Sequence, residues 1–270
     1  MTGFNFPASA TSYFPAAMPT ARWGKPCLAL LGAAGTVGQV TASKLAGKML
    51  VTGFDIRPCP QPGLFDRWIT GTAANKASVF EAVRGADYVI QLFTGSGMGW
   101  DAIIDAEIKG AKNALEACVQ NGVKRLVLLS SNHVTGMSEI EYYSGNAKAL
   151  DKAAPTSMPR PDGLYGAAKL FAEGLSRSAC ELAGLKVSVI RLGAMRLRDD
   201  PSKVLNGPRF AGQSKTEYGA RMASVWVTHE AWTDALLEEL SSTDDFRLRY
   251  LPAGSPDAPW SGEVYTWNKP

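Results

Sequence analysis

Tyr165 and Lys169 stand four residues apart in Tyr165-Gly-Ala-Ala-Lys169. On a helix that spacing puts both side chains on one face. A free phenol has a pKa of about 10 and is a poor base at neutral pH. An ammonium beside it favours the phenolate. Such a pair can take a proton from a hydroxyl while hydride leaves the same carbon. The run Ser130-Ser131-Asn132-His133 closes an apolar stretch and can hold the reacting oxygen opposite Tyr165. Taken singly, the same residues also fit a buried tyrosine beside an exposed lysine, and a satisfied loop histidine.

The hydride needs an acceptor. Gly32-Ala-Ala-Gly35-Thr36-Val37-Gly38 follows an apolar run and opens a helical pattern. A dinucleotide pyrophosphate requires free backbone N–H groups at the positive end of a helix. Side chains in the turn would hold it away, and Gly38 allows close packing of helix on strand. The spacing is GxxGxxG, so its context carries the weight: strand before, helix after, and Asp55 at the end of the second strand. A carboxylate there accepts from both ribose hydroxyls and repels a 2′-phosphate, which favours NAD over NADP. Arg57 pulls the other way, since arginine is the usual phosphate partner.

These groups need a scaffold, and the chain's rhythm supplies one. Apolar runs at Cys27–Leu31, Leu50–Phe54, Trp68–Thr70, Tyr88–Phe93, Arg125–Leu129 and Lys186–Leu192 read as six strands. Helical patterns fall at Thr36–Gly47, Asn75–Arg84, Ala102–Val119 and Leu164–Ala183. Alternation of this kind predicts an α/β fold. Specifically, it predicts a doubly wound parallel sheet of the Rossmann type, helices on both faces, and a small C-terminal substrate-binding part. Residues 134–162 and 196–220 are long, polar and rich in Pro and Gly, and each follows a strand. They leave the carboxyl edge of the sheet, where such folds bind ligands. The expected organisation is an arm over residues 1–25 and one domain over 26–270, with substrate-binding loops at 134–162 and 196–226.

Composition excludes other classes. Twenty-eight basic against 25 acidic residues give +3 in a chain of 270. That balance speaks against nucleic acid and against a polybasic membrane anchor. No apolar run approaches the roughly 18 residues of a spanning helix. Cysteines at 27, 59, 118 and 180 form no CxxC pair, and with two histidines they make no conventional zinc cage. No metal is expected, and the thiols read as reduced core residues of a cytoplasmic protein. Residues 1–25 lack the pattern of a signal or transit peptide and read as an arm lying on the domain or a neighbouring subunit.

Together these features resemble the extended short-chain dehydrogenase/reductase superfamily, the NAD-dependent epimerases and dehydratases. The blocks Ser130-Ser-Asn-His133, Arg160-Pro-Asp-Gly-Leu-Tyr165-Gly-Ala-Ala-Lys169, Arg191-Leu-Gly193 and Arg221-Met-Ala-Ser-Val-Trp226 are similar, in order, to those of uronate dehydrogenases. That family oxidises the C1 hemiacetal of a hexuronate with NAD to an aldarolactone. The resemblance implies that Gly32, Gly35, Thr36, Val37 and Gly38 receive the pyrophosphate. Asp55, Ile56 and Arg57 would surround the adenosine ribose, and Leu92, Phe93 and Thr94 would run under the cofactor. Gly71, Thr72 and Met195 fall on the cofactor side as well. Ser96, Ser131, Asn132 and His133 would bind sugar hydroxyls. Tyr165 would be the base and touch both ligands, with Lys169 as its partner and a ribose ligand. Ser131 and Asn132 complete the catalytic set. Arg221 would clamp the substrate carboxylate, unless it is only a surface ion pair. The superfamily's habit of pairing through helices implies a homo-oligomer, dimer or larger.

The chain also departs from the family. Gly71-Thr72 replaces a usual Asp near the adenine, Glu107 stands at or near a usual Asn, and Ala194 replaces a substrate-contacting Ser. The segment from Met195 to Ala220 is longer. Two other readings share the same residues. One is a nucleotide-sugar epimerase or dehydratase with recycled NAD, although little chain follows Lys169 to hold a nucleotide. The other is a dinucleotide-binding protein without turnover.

Overall fold

The computed structural model describes residues 24–143, 152–203, 215–251 and 258–269. Nearly all of the expected arm, and parts of both long loops, lie outside the described residues. Six apolar segments form parallel strands: β1 (Cys27–Leu31), β2 (Leu50–Asp55), β3 (Arg67–Thr70), β4 (Tyr88–Gln91), β5 (Arg125–Ser131) and β6 (Val187–Leu192). β7 (Phe246–Leu251) adds a further parallel strand, and β8 (Val264–Trp267) closes that edge antiparallel. The order is β3-β2-β1-β4-β5-β6-β7-β8. β5 and β6 are buried throughout, as strands covered on both faces must be.

Helices cover the two faces. α1 (Thr36–Leu45) and α8 (His229–Ser241) pack on one, their Val40, Leu45, Trp232 and Leu236 joining Leu28, Leu30 and Ile90 of the sheet. α2 (Lys76–Val83), α4 (Gly110–Asn121) and α6 (Leu164–Ala183) pack on the other, over Ala29, Leu31, Val89, Leu126 and Leu128. Two shorter helices, α3 (Trp100–Ile103) and α5 (Gly136–Glu141), lie beyond the carboxyl edge of β4 and β5. α7 (Lys215–Val225) joins a third, smaller cluster, where Met222, Val225 and Trp226 meet Ala153, Tyr250 and Trp260. None of the four cysteines is in a disulfide, and only Cys118 and Cys180 are core residues; Cys27 and Cys59 are half-buried near segment ends. No helix among the described residues is long and apolar enough to cross a membrane.

The sheet differs from the six-strand expectation in two ways. β4 stops at Gln91, so Leu92 and Phe93 belong to the following turn. β7 and β8 extend the sheet beyond β6. The helix expected over 102–119 runs from Trp100 to Asn121, and Ile104–Lys109 within it is a π-helical turn. Such turns mark functional positions in many helices.

β1 is the strand from which the chain winds both ways, with β2 on one side and β4 on the other. The glycine turn sits at that reversal. Gly32 has φ +89°, and a Cβ there would lie 2.9 Å from the Leu92 carbonyl oxygen. A Cβ on Gly38 would lie 2.5 Å from the Ala33 carbonyl oxygen. Gly38→Val should therefore destabilise the protein by about 1–3 kcal/mol through overpacking. A thermal melt should show the midpoint several degrees lower, at roughly 2–4 °C per kcal/mol for a domain of this size. An unchanged midpoint would mean that the turn relaxes freely.

Candidate active site

The carboxyl ends of β4, β5 and β6 open onto one cavity of about 340 Å3. Ser96, Ser131, Asn132, His133, Tyr165 and Arg221 all line it, joined by Gly193, Ala194, Arg196, Tyr218, Met222 and Val225. The sugar-facing set expected from sequence is thus gathered at one place. β5 ends in Ser131, whose hydroxyl accepts from the His133 amide at 3.2 Å and starts a 3-10 turn over Asn132–Thr135. That turn swings Asn132 and His133 out of the sheet. His133 Nδ1 lies 3.0 and 3.1 Å from the two carboxylate oxygens of Asp162. Its ring meets Tyr165 edge to face at 5.5 Å. Asp162 fits there because residue 136 is glycine; a Cβ at 136 would lie 2.3 Å from the Asp162 carboxyl carbon.

Tyr165 occupies the first turn of α6 and Lys169 the next. Lys169 is 1% exposed. Its ammonium donates to the Phe93 and Leu129 carbonyls, each at 2.9 Å, and ion-pairs with Glu107 at 2.7 Å. Burial favours the neutral amine, but Glu107, with help from Tyr165 and Glu173, outweighs it and raises the lysine pKa. The ammonium lies 5.7 Å from the centre of the Tyr165 ring. Two carbonyls and a carboxylate thus surround the ammonium. Glu107 is carried to full burial by the π-helical turn.

Arg221 is neither a surface residue nor an open clamp. It is 7% exposed, and its Nε contacts Glu139 Oε1 at 2.5 Å. The other Glu139 oxygen faces the Asn132 amide at 3.4 Å. Glu139 is fully buried on α5. No spacing in the sequence announces a pair whose members lie 82 residues apart. Behind the cavity, Glu173 accepts from Ser130 and from Arg191 Nε and Nη2, while Arg191 Nη1 reaches the Tyr250 hydroxyl at 2.8 Å.

The glycine turn and the end of β2 form the other half of the site. Gly32 and Ala33 donate to the Phe54 carbonyl, and Ala34 donates to Asp55 Oδ2 at 2.9 Å. Gly35 caps α1 without a side-chain bond, and the first turn carries no acid. The Thr36 and Val37 amides thus point toward a place suited to an anion. Asp55 also accepts from Arg57, through the backbone amide at 3.1 Å and through Nε and Nη2 at 3.0 and 3.2 Å. The Arg57 side chain is 57% exposed. Asp55 itself is buried, so water screens the pair mainly from the arginine side. Ile56 is exposed beside it, whereas Leu92 and Phe93 are buried below and Thr94 is exposed. Gly71 donates to the Asp55 carbonyl, and a Cβ there would press within 2.8 Å of Ser78 Cβ; Thr72 follows it. Met195, expected on the cofactor side, is buried in the cluster that contains Leu92 and Leu192.

Residues 28–205 match the NAD dependent epimerase/dehydratase family. The L-arabinose 1-dehydrogenase (NAD(P)(+)) of Haloferax volcanii is 32% identical over 181 residues, 64% of this chain and 68% of that protein. The uronate dehydrogenase of Pseudomonas putida is 33% identical over 171 residues, 62% of this chain and 60% of that protein. The chain thus matches about three fifths of the Pseudomonas relative's length. Among solved structures, uronate dehydrogenase from Agrobacterium tumefaciens superposes with a TM-score of 0.70 at 22% identity, covering 88% of this chain and 80% of that one. At that identity the likeness speaks for the fold.

The buried Arg191–Glu173 pair gives a direct test of the site's scaffold. Arg191→Met leaves a buried carboxylate without its cation and should cost about 3–5 kcal/mol. The double change Arg191→Met, Glu173→Leu should recover most of that loss in denaturant titrations. Equal losses in both variants would mean that the pair's charges do not compensate each other.

Proposed function

The chain belongs to the NAD dependent epimerase/dehydratase family, and on that premise we propose that it is an NAD-dependent dehydrogenase of sugars. Its substrate in this reading is a hexuronate-type sugar acid, whose C1 hemiacetal hydroxyl is oxidised to give the aldarolactone. One observation carries it: Ser131, Asn132, His133, Tyr165 and Arg221, drawn from the end of β5 and the turn after it, α6 and α7, converge on a single cavity at the carboxyl edge of the sheet, the edge at which the glycine turn leaves β1. The relatives named uronate dehydrogenase and L-arabinose 1-dehydrogenase support sugar oxidation.

The residues present fit the cofactor. The uncapped first turn of α1 suits a pyrophosphate, and Asp55 suits the ribose hydroxyls. Bound NAD supplies the hydride acceptor. Tyr165 takes the proton of the C1 hydroxyl as the C1–H bond breaks with its electron pair and the carbonyl forms. Ser131 and Asn132 hold that oxygen, and His133, oriented by Asp162, binds a neighbouring hydroxyl. Arg221 receives the carboxylate through the guanidinium nitrogens that Glu139 leaves free. Lys169 acts from behind Tyr165 as its partner.

A second reading rests on Glu139. Its carboxylate already offsets the charge of Arg221, which weakens the pull of that residue on an acid and suits a neutral aldose. A panel of glucuronate, galacturonate, arabinose and galactose, each with NAD and NADP, separates the two readings by net formation of reduced nicotinamide. Acids should give the higher kcat/KM. A preference for neutral sugars would select the second reading, and no net reduced cofactor would favour an epimerase.

Two variants test the roles. Tyr165→Phe should lower kcat by about 100- to 10,000-fold, the usual contribution of a positioned acid–base group, with NAD affinity nearly intact. Full activity would remove the phenol from the mechanism. Arg221→Ala should raise KM at least roughly tenfold more for acids than for neutral sugars, the scale of a charge-assisted hydrogen bond. A proportional loss on both would remove the clamp.

A further inference from the structure

The Lys169 ammonium is placed differently from what a bare Tyr–x–x–x–Lys pair suggests. It is held between the Phe93 and Leu129 carbonyls, with the Glu107 carboxylate as its third partner. Glu107 is fully buried and reaches this point because residues 104–109 form a π-helical turn between α3 and α4. Its other oxygen accepts from the Gly95 amide at 3.3 Å, so the carboxylate also secures the turn that leads to Ser96. A buried cation and a buried anion in contact present little net charge to a third group nearby.

We propose that Glu107 is a positioning residue that holds Lys169 on the two strand-end carbonyls and cancels most of its charge as felt at Tyr165. This rests on the reading of Tyr165 as the base. The consequence is an enzyme whose base works at a more alkaline pH than an uncompensated ammonium would set. Of the other charges around Tyr165, Arg196, on the cavity wall after β6, donates to the Met195 carbonyl, and the rest lie against opposite charges or in the open. His133, from the turn after β5, lies against Asp162. Glu173, one turn beyond Lys169 on α6, is held by Arg191 of β6. Arg221 of α7 lies against Glu139 of α5. On α3 Asp101 is exposed, and on α4 Lys112 pairs with Glu116. Among the described residues Glu107 is the one carboxylate in direct contact with the lysine.

The test removes each charge in turn. Glu107→Gln should move the acid limb of the kcat/KM profile down by about one pH unit, because the lysine charge then acts unopposed. Glu107→Asp should keep the wild-type limb, since the carboxylate remains. Lys169→Met should move it up. The double change Glu107→Gln, Lys169→Met restores a neutral pair and should return the limb to the wild-type position, whatever happens to kcat. It also buries no unpaired charge, so it remains measurable if a single variant fails to fold. A second readout needs no substrate: tyrosinate absorbance of the coenzyme-free protein, taken as the difference between Glu107→Gln and Glu107→Gln, Tyr165→Phe. The Tyr165 contribution should appear at lower pH than in the wild type against Tyr165→Phe. An unmoved absorbance titration in Glu107→Gln, or a double variant whose limb shifts as far as a single one, would overturn the proposal. If sugars are not substrates at all, the absorbance titration still decides the role of Glu107.

Discussion

Burying an ammonium constrains everything near it. Lys169 is almost inaccessible, and a charge out of water must have partners for its protons or lose its charge. Those partners are a carbonyl just past β4, a carbonyl of β5 and a carboxylate on the helical segment between β4 and β5. One side chain thus joins two strand ends and two helices at the carboxyl edge of the sheet. Ser131, Asn132 and His133 follow Leu129 by two to four residues, and Ser96 follows Phe93 by three. The positions of the cavity-lining residues are in that sense set by how the lysine is satisfied. Tyr165, one helical turn before it, inherits its place from the same contact.

Much of this was legible in the sequence. The apolar runs of β1, β4, β5 and β6 are largely continuous because both faces of those strands are covered, whereas the edge strand β3 is half exposed. The glycine turn, Asp55 and the Tyr165–Lys169 spacing are local patterns whose geometry follows from helix and strand periods. β7 was harder to see. Phe246-Arg-Leu-Arg-Tyr-Leu251 alternates like a half-exposed strand, yet Arg247 and Arg249 are folded against Glu238 and Glu239 of α8. A strand that covers one face with ion pairs does not read as buried. The π-helical turn leaves no compositional trace either, since shifting the hydrogen bond by one residue changes no residue type. What stayed illegible at the site were the acids: Glu107, Glu139 and the contact of Asp162 with His133 join residues far apart in the chain.

Those acids form a pattern. Each cation that the sequence offers to a ligand already has a carboxylate within the chain: Arg57 has Asp55, Lys169 has Glu107 and Arg221 has Glu139. The pairs are not equivalent. Arg57 is mostly exposed, so water screens its bond from the arginine side. Lys169 and Arg221 are buried, and separating either from its acid would strand a charge in a poorly polarisable surrounding.

The two ends of the cleft therefore respond differently to a ligand. At the adenosine end the chain can rearrange, because an arginine that leaves Asp55 finds solvent. At the sugar end the charges stay fixed, and a substrate must fit the donors that remain. Ala194, on the cavity wall, offers no hydroxyl, so the polar lining falls to side chains such as Ser96, Ser131, Asn132, His133, Arg196 and Arg221. A site with fixed charges and few adjustable donors discriminates by which hydroxyls it leaves unpaired, since an unmatched buried polar group costs more than a missing apolar contact. On the proposed function, the selectivity of this cavity is thus built into its internal ion pairs as much as into the side chains that would touch a sugar.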